Sequence, residues 1–324
     1  MASLRKLLLV LYFAAVAGTA TPAAAGPFTA FFVFGDSLSD TGNIRAATGG
    51  TVPVPDYFEG RFSNGPIWVD RVANRLGLSA APSLLGGTNF AYGAARTGGA
   101  PAPGTPPSIL AQVQTFKTTN PLADPNALYA VWAGGNDIRD ALLDPGNANA
   151  IIGNAVANIG AAISDLALAG ARTFVVPNYG DIGATPEAQA AGPVAAAAAR
   201  ILTQAFNAGL DAVLDQLIQA LALDIREVDI FGLQDRLFGE FANDPTSSPL
   251  VNITEACYSG DPLMPGTACA DPDRFAWWDT IHPTAAIHAQ IARAVNAQVV
   301  PEPAMLLLVG FSLAGLGLAR RRAR

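Results

Sequence analysis

The chain reads TAFFVFGDSLSDTGN from residue 29 to residue 43. Its first six residues are almost wholly apolar and predict a buried parallel strand. Gly35 then permits a tight turn, and Ser37 stands at the end of the strand. Because ligands of an open α/β sheet bind at the carboxyl ends of its strands, Ser37 is a candidate for chemistry.

The rest of the chain alternates between two patterns. Short apolar runs predict further strands at residues 127–132, 173–176 and 225–228. Helical patterns occupy residues 67–76, 109–116, 150–169, 188–223 and 284–299, and Gly- and Pro-rich loops are expected at residues 49–56 and 97–108. Strands that alternate with helices predict an α/β fold of three αβα layers, with a mostly parallel sheet and helices on both faces.

A serine becomes a nucleophile only when a base takes its proton, and in neutral water that base is usually histidine. The chain has two histidines. His282 follows Asp279 by three residues, so an acid is available to orient its ring. His288 has no acid at that spacing, and we expect it to be a solvated or interhelical histidine of the last helix. The sequence therefore favours Ser37, His282 and Asp279 as a catalytic set.

Acyl transfer also needs hydrogen-bond donors directed at the developing oxyanion. Two segments offer them: NFAYGAA contains Gly93, and GGND contains Asn136. Taken singly, each is more often a turn or a helix cap.

Together the four segments resemble the SGNH, or GDSL, family of serine esterases and lipases. They occur in the family's order: FGDSLSDTGN with Ser37, NFAYGAA with Gly93, GGND with Asn136, and DTIH with Asp279 and His282. The resemblance implies the flavodoxin-like SGNH hydrolase fold over residues 26–299. It also implies hydrolysis of carboxylic esters through an acyl-enzyme on Ser37. The oxyanion would be bound by the N–H groups of Ser37 and Gly93 and by the amide of Asn136.

The resemblance implies neither a metal nor an organic cofactor, and it leaves the ester open between a lipid and an acetylated saccharide. Many relatives have Gly-Gly in the second segment, whereas here Ala94 follows Gly93. The chain has no G-x-S-x-G segment, which disfavours an α/β-hydrolase nucleophile elbow. A non-catalytic surface or adhesive protein on the same scaffold is the alternative function.

The first 25 residues are typical of a signal peptide. Arg5 and Lys6 precede an apolar run over residues 7–17, and small residues then offer a cleavage site after Ala25. A membrane anchor is the alternative, although the run is shorter than the roughly 20 residues of a spanning helix.

The last 25 residues, 300–324, carry a second targeting pattern. Val-Pro-Glu-Pro is followed by a mostly apolar run over residues 304–319 and then by Arg320, Arg321 and Arg322. A plain membrane anchor would show such a pattern. The order of the three parts more closely resembles the PEP-CTERM signal, which an exosortase recognises. Both ends therefore predict an exported protein of the periplasm, cell envelope or extracellular space.

The formal net charge of −7 understates the acidity of the domain, because six of the 19 basic residues lie at the two ends. Such acidity argues against nucleic acid as a partner. Export predicts a disulfide between Cys257 and Cys269, the only two cysteines. A zinc site formed by these cysteines with His282 and His288 is the alternative, but eleven residues separate the cysteines where zinc fingers have two to four.

Overall fold

The structure is a computed structural model and describes residues 28–99, 102, 104–246 and 248–300. The predicted signal peptide and most of the C-terminal targeting segment lie outside these residues. Four parallel strands form the central sheet in the order β1-β2-β3-β4: Phe31–Gly35, Leu128–Trp132, Thr173–Pro177 and Asp224–Val228. All four correspond to runs predicted from the sequence.

A fifth position of the sheet is held by an irregular segment, residues 88–92, on the outer side of β1. Val33 donates its N–H to Thr88, Phe90 donates to Val33, and Tyr92 donates to Gly35. The chain thus passes from β1 to one edge and then returns to build the sheet in the other direction. That order is the doubly wound, flavodoxin-like one, and its switch point lies between β1 and β2.

Nine α-helices occur among the described residues: α1 Asn43–Ala47, α2 Trp68–Leu76, α3 Ile109–Thr119, α4 Gly135–Leu143, α5 Ala148–Ala169, α6 Pro186–Ala190, α7 Pro193–Leu221, α8 Ile230–Asn243 and α9 Ala285–Val299. A second, two-stranded sheet pairs β5, Asn252–Ala256, with β6, Phe275–Trp277. The predicted single helix over residues 188–223 is wrong. Gly192, with φ of 98°, separates α6 from α7, and Pro193 begins the new helix.

Alternating side chains of β1 pack against helices on opposite faces of the sheet. Phe31 meets Trp68 of α2 edge-on, with ring centroids 6.3 Å apart. Phe32 and Phe34 point the other way and contact Phe116 of α3, at 5.0 and 5.6 Å. This period of two confirms the three-layer α/β fold expected from the sequence. The carboxyl ends of β1 and β2 lead into the segments that contain Ser37 and Asn136.

Candidate active site

The turn after β1 is shaped by Asp36. Its carboxylate accepts the N–H of Leu38 at 3.0 Å, and its carbonyl accepts the N–H groups of Ser39 and Asp40, both at 3.0 Å. Gly35 is required just before this turn, because a Cβ there would lie 2.7 Å from the carbonyl oxygen of Trp132. The tight turn leaves Ser37 partly exposed in the wall of a cavity.

His282 and Asp279 lie in the loop between β6 and α9. Nε2 of His282 is 2.9 Å from Oγ of Ser37, and Nδ1 is 2.7 Å from Oδ2 of Asp279. The other oxygen, Oδ1, accepts the N–H groups of Ile281 and His282 at 2.9 and 2.7 Å. The structure therefore brings together three side chains that are separated by up to 245 residues of sequence.

The electrostatics of Asp279 keep it ionised. Burial raises the pKa of its carboxyl group, but the charge of His282 and the hydrogen bonds from His282, Tyr57 and Ile281 outweigh burial and hold the pKa below its usual value. An ionised Asp279 favours a proton on Nδ1 of His282, which leaves Nε2 free to accept the proton of Ser37.

Tyr57 is a partner of this site that sequence reasoning did not identify. Its hydroxyl donates to Oδ2 of Asp279 at 2.5 Å from a position 222 residues away in the chain. No motif or spacing marks Tyr57, because it reaches Asp279 only through the tertiary fold. Phe62, from the same loop, packs its ring 5.2 Å from the ring of His282.

The predicted oxyanion donors have different surroundings. Asn136, at the start of α4, lines the cavity beside Ser37 and donates one N–H of its amide to the carbonyl of Ala95 at 2.9 Å. The second N–H of that amide remains for a ligand. Gly93 is buried, and its N–H donates to Oδ2 of Asp40 at 2.8 Å. The donor that the sequence assigned to the oxyanion is thus already bonded to a carboxylate.

The residue after Gly93 differs from it in exposure and in the hydrogen bonding of its N–H. Ala94 is exposed and has φ of 61°, a left-handed backbone that alanine rarely adopts. Among the residues that the structure describes, no acceptor is bonded to its N–H. A glycine at this position would adopt the same backbone without the steric cost of a Cβ.

Two further buried carboxyl groups lie close to Ser37 and hold the loops around it through hydrogen bonds. Asp40 accepts the N–H groups of Gly42, Asn43 and Ile44 as well as that of Gly93. Asp36 accepts the hydroxyl of Tyr179 in a short hydrogen bond. Burial raises the pKa of both carboxyl groups to about 6. Sequence reasoning did not identify either role.

The cavity at Ser37 has a volume of about 110 Å³, and residues of α8 and α9 form part of its wall. Its wall is mainly apolar side chains: Leu38, Ile182, Ile230, Leu233, Phe238, Trp277, Ile281, Ile287 and Ile291. Arg139 also lines it and pairs with Glu187, with nitrogen and oxygen 2.6 Å apart. Such a wall suits a hydrocarbon chain better than a polar group.

The remaining candidates lie apart from the cavity. Cys257 and Cys269 form a disulfide, so their thiolates are not available to a zinc ion. No group of three or more side chains suited to a metal is present in the described part of the chain. His288 is fully buried in α9, and its Nδ1 accepts the N–H of Trp68 at 3.4 Å.

Comparison with known proteins gives two family matches. Residues 31–295 match the GDSL-like Lipase/Acylhydrolase family, and residues 299–322 match the PEP-CTERM protein-sorting motif. A phosphatidylcholine-sterol acyltransferase of Aeromonas hydrophila is 27% identical over 82% of this chain and 88% of its own length. A GDSL esterase/lipase of Arabidopsis thaliana is 29% identical over 82% of this chain and 85% of its own.

Among solved structures, an acetyl-xylooligosaccharide esterase from Geobacillus is similar with a TM-score of 0.46 and 13% identity. The match covers 86% of this chain and 97% of that one.

Proposed function

The chain belongs to the GDSL-like lipase/acylhydrolase family and hydrolyses ester bonds, and we propose that it does so through a triad of Ser37, His282 and Asp279. Ser37 attacks the ester carbonyl while His282 takes its proton, and the alcohol leaves with that proton. Water then attacks the acyl-enzyme while His282 takes its proton, the bond to Ser37 breaks, and the carboxylic acid leaves as that proton returns to Ser37. The continuous chain of hydrogen bonds from Ser37 through His282 to Asp279, at 2.9 and 2.7 Å, carries the proposal.

The tetrahedral intermediate places a negative charge on the former carbonyl oxygen. We propose that the N–H of Ser37 and the free amide N–H of Asn136 bind it, together with one backbone N–H of the segment around Gly93. Because the N–H of Gly93 already donates to Asp40, Ala94 is the better candidate for that third donor. Losing one such donor costs about 10²–10³ in rate.

The ester proposed as substrate carries an apolar acyl chain longer than acetyl. The apolar side chains between α8 and α9 support this choice over an acetylated saccharide, because an acetyl group would leave most of that wall facing water. The name of the Aeromonas relative, which includes phosphatidylcholine, agrees with a lipid ester.

A fluorophosphonate probe tests the nucleophile. Wild-type protein should be labelled, and Ser37→Ala should lose labelling together with roughly 10⁶-fold in kcat. Ser39→Ala is the matched control, since its hydroxyl is buried against Trp68 and should not react. Folded wild-type protein that takes no label would contradict the proposal and favour a non-catalytic scaffold.

The sorting motif implies export and association with the cell envelope. We propose in addition that residues 1–25 are a signal peptide, that 26–299 are the hydrolase domain, and that an exosortase processes residues 300–324. Mass spectrometry of the protein from its host should then find both termini shortened. An intact C-terminus on the mature protein would support a plain membrane anchor instead.

A further inference from the structure

Two hydrogen bonds converge on one oxygen of Asp279. The hydroxyl of Tyr57 and Nδ1 of His282 both donate to Oδ2, at 2.5 and 2.7 Å. Tyr57 and Asp279 are each 1% exposed, so water does not share this interaction. Because both donors share one acceptor, the hydrogen bond from the phenol weakens the interaction of Oδ2 with the imidazole ring.

Tyr57 packs in a small hydrophobic cluster formed by Val54, Tyr57, Cys257, Tyr258 and Trp278. Its ring meets those of Tyr258 and Trp278 edge-on, at 5.6 and 6.1 Å. Val54 donates its N–H to the carbonyl of Pro262, inside the loop that the disulfide closes. The phenol is therefore fixed before any substrate binds.

Tyr57 stands behind Asp279 as seen from the cavity, whose wall is formed by other residues. Its side chain is buried, so no face of the ring is open to a substrate. The geometry leaves Tyr57 one partner of chemical interest, the carboxylate of the catalytic acid.

We propose that Tyr57 is a positioning residue that fixes Asp279 and limits how strongly this carboxylate stabilises protonated His282. The inference rests on the proposed triad and extends it by one residue. Without the phenol, Oδ2 would direct more of its charge to His282, which would hold its proton more tightly. The reaction begins with neutral His282. As the solution is acidified, protein without the phenol would therefore lose activity at a higher pH than the wild type.

Other charged and titratable groups face this site, and all of them remain in the Tyr57→Phe variant. Asp36 and His288 act on His282 through space, and Tyr258 and Asp261 act on Tyr57. Burial raises the pKa of the Asp36 carboxyl group to about 6, so Asp36 itself titrates within the range of such a profile. The effect of Tyr57 is therefore measured as the difference between the pH profiles of the wild type and Tyr57→Phe, and not from one profile alone.

The first test is the pH dependence of kcat/KM in Tyr57→Phe. Its acid limb should move to higher pH by about half a unit to one unit. Plateau kcat should fall about fivefold with KM unchanged, because only the triad is disturbed. Tyr258→Phe is the matched control. It loses a hydroxyl from the same cluster without touching Asp279, so its profile should superimpose on that of the wild type.

Two further variants separate positioning from packing. In an Asp279→Asn background, adding Tyr57→Phe should produce no further shift, because the phenol acts through the carboxylate. A 3-fluorotyrosine introduced at position 57 has a more acidic phenol and nearly the same shape. It should move the acid limb in the opposite direction, to lower pH.

Proton NMR of Ser37→Ala protein gives a readout that needs no catalysis. The downfield resonance of the Nδ1 proton of His282 should move when Tyr57→Phe is added and stay when Tyr258→Phe is added. If the proposed triad fails, hydrolysis persists in Ser37→Ala while this resonance still reports on Tyr57. The inference about Tyr57 is overturned if its variant matches the wild type in profile and resonance, or if the Tyr258 variant shifts equally.

Discussion

The backbone N–H of Gly93 donates to Oδ2 of Asp40 at 2.8 Å, in the interior of the domain. That bond fastens the segment after residue 88 to the turn that carries Ser37. It also leaves the next N–H, that of Ala94, as the exposed donor of the segment.

We predict that replacing single backbone amides by esters will separate the anchoring bond of Gly93 from the proposed oxyanion contact of Ala94. Glycolic acid at position 93 removes the bond to Asp40 and should lower the free energy of unfolding by about 1.5–3 kcal/mol, because the acceptor is charged. Lactic acid at position 94 should leave stability unchanged and lower kcat by about 10²-fold or more. Urea unfolding and steady-state kinetics measure the two effects. A large loss of kcat at 93, with none at 94, would return the oxyanion role to Gly93.

Acyl-chain preference should follow the shape of the apolar cavity. We predict that kcat/KM for p-nitrophenyl esters rises from acetate to a chain of several carbons, since each buried CH₂ contributes about 0.8 kcal/mol. Ile287 lines the cavity and is only partly buried. Ile287→Phe should therefore fill space and move the optimum to shorter chains. Ile201→Phe, on an exposed face of α7, is the control. A wild type most active on acetate or acetylated xylan would argue against the acyl-chain proposal.

The disulfide between Cys257 and Cys269 should stabilise the domain by about 2–3 kcal/mol, because it closes a short loop. It also braces the chain before Asp279, where Cys257 and Tyr258 donate N–H groups to Trp277 and Trp278 at 3.0 and 2.7 Å. Cys257→Ala with Cys269→Ala should thus unfold at a lower urea concentration and lose part of kcat. Reduced wild-type protein should behave alike, and equal stability of oxidised and reduced protein would refute the prediction.

His288 should make the domain less stable in acid. Burial, with smaller effects of the charges of His282 and Arg71, lowers the pKa of His288 from 6.5 to about 3. The unfolded chain binds a proton there below about pH 6.5, and the folded chain does not until about pH 3. Stability is therefore lost as the pH falls through this window, by about 3 kcal/mol at pH 4.

The variant His288→Leu should lack this loss. Its free energy of unfolding relative to the wild type should improve steadily from pH 7 to pH 4, even if it starts lower because Trp68 loses an acceptor. Asp36 and Asp40 have raised pKa values and act in the opposite direction, but they are present in both proteins and cancel in the difference. A difference that does not change with pH would contradict the prediction.

Sequence patterns predicted the central sheet well because its strands are continuous apolar runs, as in Phe31–Gly35 and Leu128–Trp132. They failed where elements depend on distant partners. Helix α8, Ile230–Asn243, contains two glycines and lies against the cavity, and β6 has only three residues and exists by pairing with β5. Local propensity is too weak to identify such elements.

By itself the sequence determined the order of chemical groups: a serine after a buried strand, an amide after the next, and an acid three residues before a histidine. Strand ends and short spacings are local properties, so they can be read along the chain. Only the tertiary structure decided which hydrogen bonds these groups make. Tyr57 reaches Asp279 across 222 residues, and Asp40 takes the N–H of Gly93 across 53. Such contacts depend on how the loops pack, which no local pattern encodes.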